Sequence, residues 1–302
     1  MLRFQFENIE EMKELHCNAV EDYVKRLPGT DQDRIYSSII QLQSFERFGA
    51  ERDKNDYGWL RKFILADIDL MRAWVYGQAD KLLFTDFKTL YGRYFSNGPY
   101  NFVDAARSYN AYTLIKKMEI HVCPYCDDEY IDTVKEETKR TSEFDHFFPE
   151  GQTKYPALAM CFYNLVLSGQ NCNGLKMQNL LEASPYDESI EELTLVSPDV
   201  EVGVNMDSIR PEDCKVLLHA KRGMIANEAV LGLKDRYVNR YSEAYDLLMK
   251  KQHFPVEKID ELIMQGYFSS RDEAMRVLFG APYVERKFKE IHAKMRHDII
   301  GY

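Results

Sequence analysis

The chain has 302 residues, of which 45% are hydrophobic, and it carries 39 Lys and Arg against 49 Asp and Glu. A chain of this length can bury a substantial core in two or three subdomains. No apolar run approaches the roughly 18 residues that a membrane-spanning helix needs, and the first residues lack the pattern of a signal peptide. Six cysteines in a chain this long are typical of a reducing compartment, so we expect a cytoplasmic protein.

The charges are unevenly distributed along the chain. Residues 121–200 hold 5 Lys and Arg against 15 Asp and Glu, whereas the segments on both sides are close to neutral. Nucleic-acid affinity depends mainly on neutralising phosphates with Lys and Arg. If this central segment acts on nucleic acid, we therefore expect another surface or another subunit to present the substrate. The chain also lacks the phosphate-binding G-x-x-x-x-G-K-[ST] pattern, so we do not expect it to bind ATP.

The N-terminal third is predicted to be helical. Apolar and polar residues alternate over 2–6, which predicts a short strand, and helical spacing then continues to Pro28-Gly29. A second helix is predicted after Thr30, with Phe45 on its apolar face. Further helices are predicted over 59–76, 79–95 and 102–118, with a break at 97–99. The many aromatic residues of this region are more typical of a core or a subunit interface than of a surface on which bases stack.

Four short motifs follow between residues 121 and 176. They are H-V-C-P-Y-C at 121–126, E-F-D-H at 143–146, Y-N-L at 163–165 and N-C-N-G-L-K at 171–176. Together they supply a histidine suited to general-base chemistry, oxygen ligands for a hard cation and thiols for a structural metal. We predict a strand ending at His146, a short helix over 155–162, a second strand over 164–168 and a helix beginning at Cys172.

The thiols form an incomplete pattern. Cys123 and Cys126 have the spacing of half a zinc site. A second pair is expected just before Asn173, but only Cys172 is present, with Gly169 three residues earlier. The fourth ligand is therefore missing or comes from outside the pattern, and the candidates are His121, Asp127 and Cys161. An isolated Cys-x-x-Cys is also compatible with a redox pair or with two buried thiols.

The remainder of the chain is predicted to begin with strands and to end with helices. Apolar and polar residues alternate within 183–218, notably at 193–196 and 200–204, which predicts small strands or extended arms. Helical spacing returns over 226–251, as one helix or two, and again from residue 255. The last predicted helix, over 282–296, carries five Lys and Arg against two Glu, a pattern that usually marks a solvated face.

The motifs resemble the cysteine-bearing branch of the HNH endonucleases. More narrowly, C-P-Y-C, F-D-H-F-F-P, Y-N-L-V-L-S and C-N-G-L-K are similar to the HNH subunit (PtuB) of Septu-type antiphage systems, including those attached to retrons. The match is strong over about 55 residues and weak over 177–250, and it does not extend to the first 115 residues. It implies the ββα-metal fold, in which a short helix crosses a two-stranded hairpin and holds a catalytic cation.

The resemblance also implies a role for each motif residue. His146 is the general base that deprotonates water. Asn164 orients the imidazole. The other implied roles are catalytic Mg²⁺ or Mn²⁺ ligation by Asp145 and Asn173, and structural Zn²⁺ ligation by Cys123, Cys126 and Cys172. Independently of the resemblance, Lys176 lies one helical turn beyond Asn173, so we expect it to contact a phosphate.

We therefore predict an α+β, mostly α-helical protein with an HNH core and a cysteine knuckle over 119–182. Helical region 1–118 precedes it as a partner-docking region, and extended arms and helices over 183–302 follow. The predicted function is metal-dependent hydrolysis of DNA or RNA by the nuclease subunit of an antiphage defence complex. The expected partner is an ABC/SMC-like ATPase (PtuA-type), with a retron reverse transcriptase–msDNA complex as an additional candidate. The alternative is a non-catalytic zinc-knuckle subunit that binds nucleic acid or protein, and a stand-alone restriction-type enzyme is less compatible with the acidic core.

Overall fold

In the computed structural model, the residues described are 1–42, 54–96, 100–101, 108–135, 139–151, 153–200 and 209–302. They form an α+β structure that is mostly helical, as predicted, with four separate two-stranded antiparallel sheets. Among them, no helix combines the length and the apolar composition needed to cross a membrane. The predicted features at Phe45, 97–99, 102–107 and 201–204 lie outside these residues.

The chain divides into two compact units, which we call unit I and unit II. Unit I comprises Phe4–Glu119 and Asp132–Leu180, and unit II comprises Met1–Arg3, Ile120–Ile131 and Leu181–Tyr302. The three-region division into 1–118, 119–182 and 183–302 stays a prediction.

Unit I contains the N-terminal helices and three of the hairpins. Its helices are α1 (Ile9–Lys25), α2 (Gly29–Ile40), α3 (Gly58–Ile64), α4 (Ile68–Gly77), α5 (Asp86–Leu90), α6 (Ala111–Met118) and α7 (Gln170–Lys176). Its strands are β1 (Tyr100–Asn101), β2 (Ser108–Tyr109), β3 (Thr133–Lys135), β4 (Lys139–Arg140), β5 (Ser142–His146) and β6 (Leu165–Gly169). The strand predicted over residues 2–6 is not formed.

Helix α1 illustrates how the sequence specifies unit I. Buried residues recur every four positions at Met12, His16, Val20 and Val24, so they lie on one face of the helix. Glutamates in the first turn and Lys25 in the last turn complement the helix dipole. The apolar face therefore packs inward, and it carries one polar residue, His16, into the core.

An aromatic cluster forms much of the interior of unit I. The Phe63 ring stacks on Trp74 with ring centroids 5.4 Å apart and on Phe87 at 5.8 Å. Helix α4 is anchored at its N-terminus by Asp67, whose side chain accepts a hydrogen bond from the backbone nitrogen of Leu70 at 2.8 Å. Phe63, Trp74 and Phe87 are therefore core residues, as predicted for the aromatic residues of this region, whereas Tyr76 on α4 is 70% exposed.

Unit II is built from one hairpin and seven helices of the described chain. The hairpin pairs β7 (Thr194–Val200) with β8 (Cys214–Ala220). The helices are α8 (Ile225–Leu231), α9 (Leu233–Val238), α10 (Tyr241–His253), α11 (Val256–Met264), α12 (Arg271–Phe279), α13 (Tyr283–Arg286) and α14 (Ala293–Ile300). The segment predicted as one helix or two over 226–251 thus forms parts of three, because Gly232 adopts a left-handed conformation with φ of 60° and ends α8. The last helix, predicted over 282–296, is likewise replaced by two short helices, α13 and α14.

Candidate functional site

The β5–β6 hairpin and helix α7 carry most of the candidate residues. Asp145 pairs with Val166 and His146 with Leu165 in an antiparallel register, and α7 follows β6 directly. All five residues of β6 are buried, so this strand lies between layers rather than at a surface. The chain order of strand, strand and short helix is therefore as predicted. The first strand ends at His146 as predicted, whereas β6 and α7 begin one or two residues away from their predicted starts.

The geometry of His146 defines its tautomer. Its Nε2 lies 3.0 Å from the carbonyl oxygen of Ala159, which can only accept a hydrogen bond, so Nε2 carries the proton. Nδ1 of the neutral ring consequently keeps its lone pair. The edge of the ring meets Tyr91 with centroids 4.4 Å apart, which holds the imidazole in place. Burial, reinforced by the nearby positive charge of Lys176, lowers the pKa of His146 to about 3 and favours this neutral form.

Asn164 binds the segment Pro156–Met160, which also holds the hydrogen-bond partner of His146. Its Oδ1 accepts from the Phe148 backbone nitrogen at 2.7 Å, and its Nδ2 donates to the carbonyl oxygens of Phe148 at 3.1 Å and Leu158 at 2.9 Å. A fully buried amide needs such partners, because an unmatched polar group there is destabilising. Asn164 thus joins the residues after β5 to Leu158, next to the carbonyl that binds His146. Its predicted contact with the imidazole is indirect here.

Asp145 and Lys176 form a buried ion pair. Lys176 Nζ lies 3.0 Å from Asp145 Oδ1 and 2.6 Å from the carbonyl oxygen of His146. The Lys176 side chain is 0% exposed and the Asp145 side chain is 4% exposed. In this conformation the ammonium of Lys176 is held inside the protein, so a contact between Lys176 and a substrate phosphate stays a prediction.

Glu143 is a candidate that the sequence analysis did not select. Its Oε2 accepts a hydrogen bond of 2.6 Å from Asn173 Nδ2. This bond fixes the orientation of the Asn173 amide, whose oxygen, Oδ1, is the atom that can bind a metal ion. Glu143 and Asp145 are two residues apart on β5, so their side chains point to the same face. The Glu-x-Asp spacing on a predicted strand was the sequence feature that could have identified Glu143 as a candidate. This face brings two carboxylates and an amide to one side of the hairpin, a donor set that suits Mg²⁺ or Mn²⁺.

A second candidate metal site is formed by three thiols and a carboxylate. One ligand atom from each of Cys123, Cys126, Glu129 and Cys172 lies within 4.8 Å of the others, so this cluster could hold a metal ion. The fourth member is Glu129 and not one of the three residues proposed from the sequence. Cys126-x-x-Glu129 repeats the spacing of Cys123-x-x-Cys126, and this was the signal that the sequence analysis missed.

Of the three candidates proposed from the sequence for the fourth position, His121 is exposed and lies outside the cluster, and the other two bind elsewhere. The Asp127 carboxylate accepts a hydrogen bond of 2.8 Å from the backbone nitrogen of Lys294. Cys161 Sγ donates to the carbonyl oxygen of Phe63 at 3.4 Å, and burial raises the pKa of its thiol. A thiol with a raised pKa is a poor metal ligand, because the thiolate is the binding form.

The structure therefore gathers the predicted residues into separate groups. His146 and Asn164 both bind the segment Pro156–Met160. Two contacts join α7 to β5: Asn173 binds Glu143, and Lys176 binds Asp145. Lys176 connects the two groups through the carbonyl oxygen of His146. In comparisons with known proteins, no family model matches the chain, and no curated protein or solved structure is significantly similar to it.

Proposed function

We propose that the chain is an HNH endonuclease that hydrolyses phosphodiester bonds of DNA or RNA, with His146 as its general base. The proposal depends on one observation above all: Nε2 of His146 donates to the Ala159 carbonyl, so the neutral ring presents Nδ1 as a proton acceptor. The motif order and the resemblance to HNH nucleases support it.

The burial of His146 determines the charge of its ring. A pKa of about 3 keeps the ring neutral at physiological pH, so every molecule can accept a proton. It also makes the free imidazole a weak base. A bound phosphodiester would bring a negative charge close to the ring, which raises the pKa of an imidazole because the protonated form is stabilised. Substrate binding would thus increase the basicity of His146.

The oxygen-rich face of the hairpin is proposed as the cation site. Asp145 and Asn173 would hold Mg²⁺ or Mn²⁺, and Glu143 would orient the amide of Asn173. When bound, such a cation stabilises charge on the scissile phosphate and the leaving oxygen. Lys176 already neutralises Asp145 in the present conformation, and phosphate binding by its ammonium would require that side chain to leave this ion pair.

The cysteine cluster is proposed as a structural zinc site. Three sulfur donors and one oxygen donor match the number and kind of ligands that tetrahedral Zn²⁺ prefers. We further propose, from the resemblance to PtuB, that the chain is the nuclease effector subunit of an antiphage complex with a PtuA-type ATPase. The acidic balance of residues 121–200, 5 basic against 15 acidic, supports dependence on a partner for substrate binding.

The alternative function is a non-catalytic binding subunit in which the metal cluster is only structural. The burial of Asp145 and His146, which are 3% and 7% exposed, together with the ion pair to Lys176, favours this alternative. A closed site of this kind can act only if it opens toward substrate.

Cleavage assays distinguish the two functions. Duplex DNA, single-stranded DNA and RNA are incubated with the chain, with and without its copurified partners, in Mg²⁺, Mn²⁺ or EDTA. We expect cation-dependent cleavage that falls by at least about 10²-fold in H146A. The matched control is H253A, because His253 is exposed and far from the motifs in sequence. Cleavage that survives in H146A would refute His146 as base, and no cleavage by any assembly would favour the binding subunit.

A further inference from the structure

Three successive carbonyl groups end the 3₁₀ helix Pro156–Met160, and each accepts a hydrogen bond from a side chain. The carbonyls at the end of a helix have no partner within that helix, so buried ones need donors from elsewhere. The side-chain donors to Leu158, Ala159 and Met160 are, in order, Asn164 Nδ2 at 2.9 Å, His146 Nε2 at 3.0 Å and His16 Nε2 at 2.7 Å. Two of them are candidate site residues, and the third comes from helix α1. The Leu158 carbonyl also accepts from the backbone nitrogen of Cys161.

His16 is fixed in a single orientation. Nε2 donates to a carbonyl, so Nδ1 is the acceptor, and it receives the hydroxyl of Tyr109 at 2.6 Å. The imidazole is fully buried and meets the rings of Phe95, Tyr109 and Phe162 edge to face. Burial lowers its pKa to about 4, so it does not exchange roles by protonation near neutral pH.

The carbonyl groups of Ala159 and Met160 belong to adjacent peptide units. Because each peptide unit is planar, rotation of one about its flanking bonds changes the direction of the next. If the Met160 carbonyl loses its donor, a buried acceptor is left without a hydrogen bond, which costs free energy. Rotation of this peptide unit toward another donor would reduce that cost. That rotation would move the Ala159 carbonyl, which is the acceptor that fixes the proton of His146 on Nε2.

We propose that His16 is a positioning residue for His146, acting through the carbonyls of Met160 and Ala159. The catalytic consequence rests on the proposed function, whereas the effect on the tautomer of His146 does not. An aromatic path runs beside this backbone connection, since Phe95 contacts both His16 at 6.1 Å and Tyr91 at 5.5 Å, and Tyr91 contacts His146. No role for His16 was apparent from the sequence, and its place on the buried face of α1 is known only from the structure.

Two amide substitutions test this connection. In H16Q the amide nitrogen takes the place of Nε2 and can still donate to Met160. In H16N the side chain is one methylene shorter, reaches only the place of Nδ1 and cannot donate to that carbonyl. The pair therefore differs in the one bond under test, while both variants bury an amide at the same position. Y109F serves as a second control, because it removes the donor to Nδ1 and leaves the bond to Met160.

The primary measurement is the ¹⁵N spectrum of histidine-labelled protein, which reports which ring nitrogen of His146 carries the proton. We expect the Nε2-protonated form in the wild type, H16Q and Y109F, and a mixture of tautomers in H16N. The second measurement is cleavage, in which kcat of H16N should fall about tenfold with KM unchanged, since loss of one buried hydrogen bond misplaces a proton acceptor. H16Q should restore kcat.

The outcomes separate this inference from the nuclease proposal. A tautomer change in H16N without cleavage by any form of the protein supports positioning by His16 and refutes the nuclease. Equal spectra and equal kcat in H16N and H16Q overturn the positioning role and leave the nuclease intact. If H16N does not fold, H16Q decides: a wild-type His146 spectrum supports the proposal, and a mixed one overturns it.

Discussion

Lys176 and Asp145 lie 3.0 Å apart in an ion pair whose side chains are 0% and 4% exposed. A buried pair contributes little compared with an apolar pair of the same shape, but removal of one partner leaves a charge without compensation. The pair also places a positive charge where the proposed cation would be held. The stability of the hairpin and the affinity for a cation are therefore linked through one carboxylate.

The substitution K176M should destabilise the protein by about 3–5 kcal/mol, because removal of one partner from a buried ion pair is strongly destabilising. The control K234M breaks a pair between Lys234, whose side chain is 58% exposed, and Glu228, and it should cost no more than about 1 kcal/mol because solvent reaches the ammonium. Urea unfolding of both variants measures the difference. The double variant D145N/K176M should recover part of the loss, and equal effects of K176M and K234M would contradict a buried pair.

The second prediction concerns Glu143, which binds the amide of Asn173. Removal of this carboxylate in E143A frees the amide to rotate, so the Mg²⁺ concentration for half-maximal cleavage should rise about 10- to 100-fold. The maximal rate at saturating Mg²⁺ should change much less. E257A is the control, since Glu257 is exposed on α11. An unchanged Mg²⁺ requirement in E143A would show that Glu143 does not orient a cation ligand.

The third prediction concerns the cysteine cluster. We expect the purified protein to contain zinc, and C126S to lose it together with thermal stability, because a structural metal contributes directly to folding. C214S is the matched control, since Cys214 is also buried but lies outside the cluster. Elemental analysis is the measurement. Less than about 0.2 zinc per wild-type chain would refute a structural zinc ion.

The fourth prediction concerns substrate binding by the isolated chain. Residues 121–200 hold 5 basic against 15 acidic residues, so they repel a polyanion. At physiological salt the Debye length is about 8 Å, too long to screen this repulsion for a bound strand. The isolated chain should therefore bind nucleic acid weakly at about 150 mM salt with a shallow salt slope, and the complex with its partners should bind tightly with a steeper one. Tight binding by the isolated chain would favour a stand-alone nuclease.

The fifth prediction is a pH dependence of stability that arises in unit II. His292 Nε2 lies 2.6 Å from Asp128 Oδ1, and its Nδ1 lies 2.6 Å from Glu243 Oε2. Burial opposes protonation, but these two carboxylates outweigh it and raise the pKa of His292 to about 9. Arginines also face the pair, since Arg240 contacts Asp128 and Arg296 contacts Glu243.

Because the folded pKa of His292 exceeds the unfolded value of about 6.5, its stabilisation is complete below that pH and lost as pH rises through about 9. Urea unfolding at pH 6 and pH 9.5 should show a loss of at most about 2 kcal/mol, after allowance for solvent screening of Glu243, whose side chain is 25% exposed. H292N is the control, because asparagine tolerates the left-handed φ of 58° at this position. The same pH dependence in H292N would assign it to other groups.

The sequence by itself determined the helical character, the acidic centre and the order of strand, strand and short helix around the motifs. Local rules suffice for these features. The buried residues of α1 recur at helical spacing, and the run of apolar residues in β6 requires a strand covered on both faces. The spacing of Cys123 and Cys126 likewise indicated a metal ligand pair before any contact was known. Nuclease activity itself stays a prediction.

Only the tertiary structure decided which partners those residues have. His16 and Met160 are separated by 144 positions and Lys176 and Asp145 by 31, and no local pattern encodes either contact. Burial then sets the chemistry: it keeps both imidazoles neutral, and packing against a carbonyl selects the nitrogen of His146 that carries the proton. A motif specifies the residue types of a site, whereas the direction of each hydrogen bond depends on backbone groups that folding brings together from distant parts of the chain.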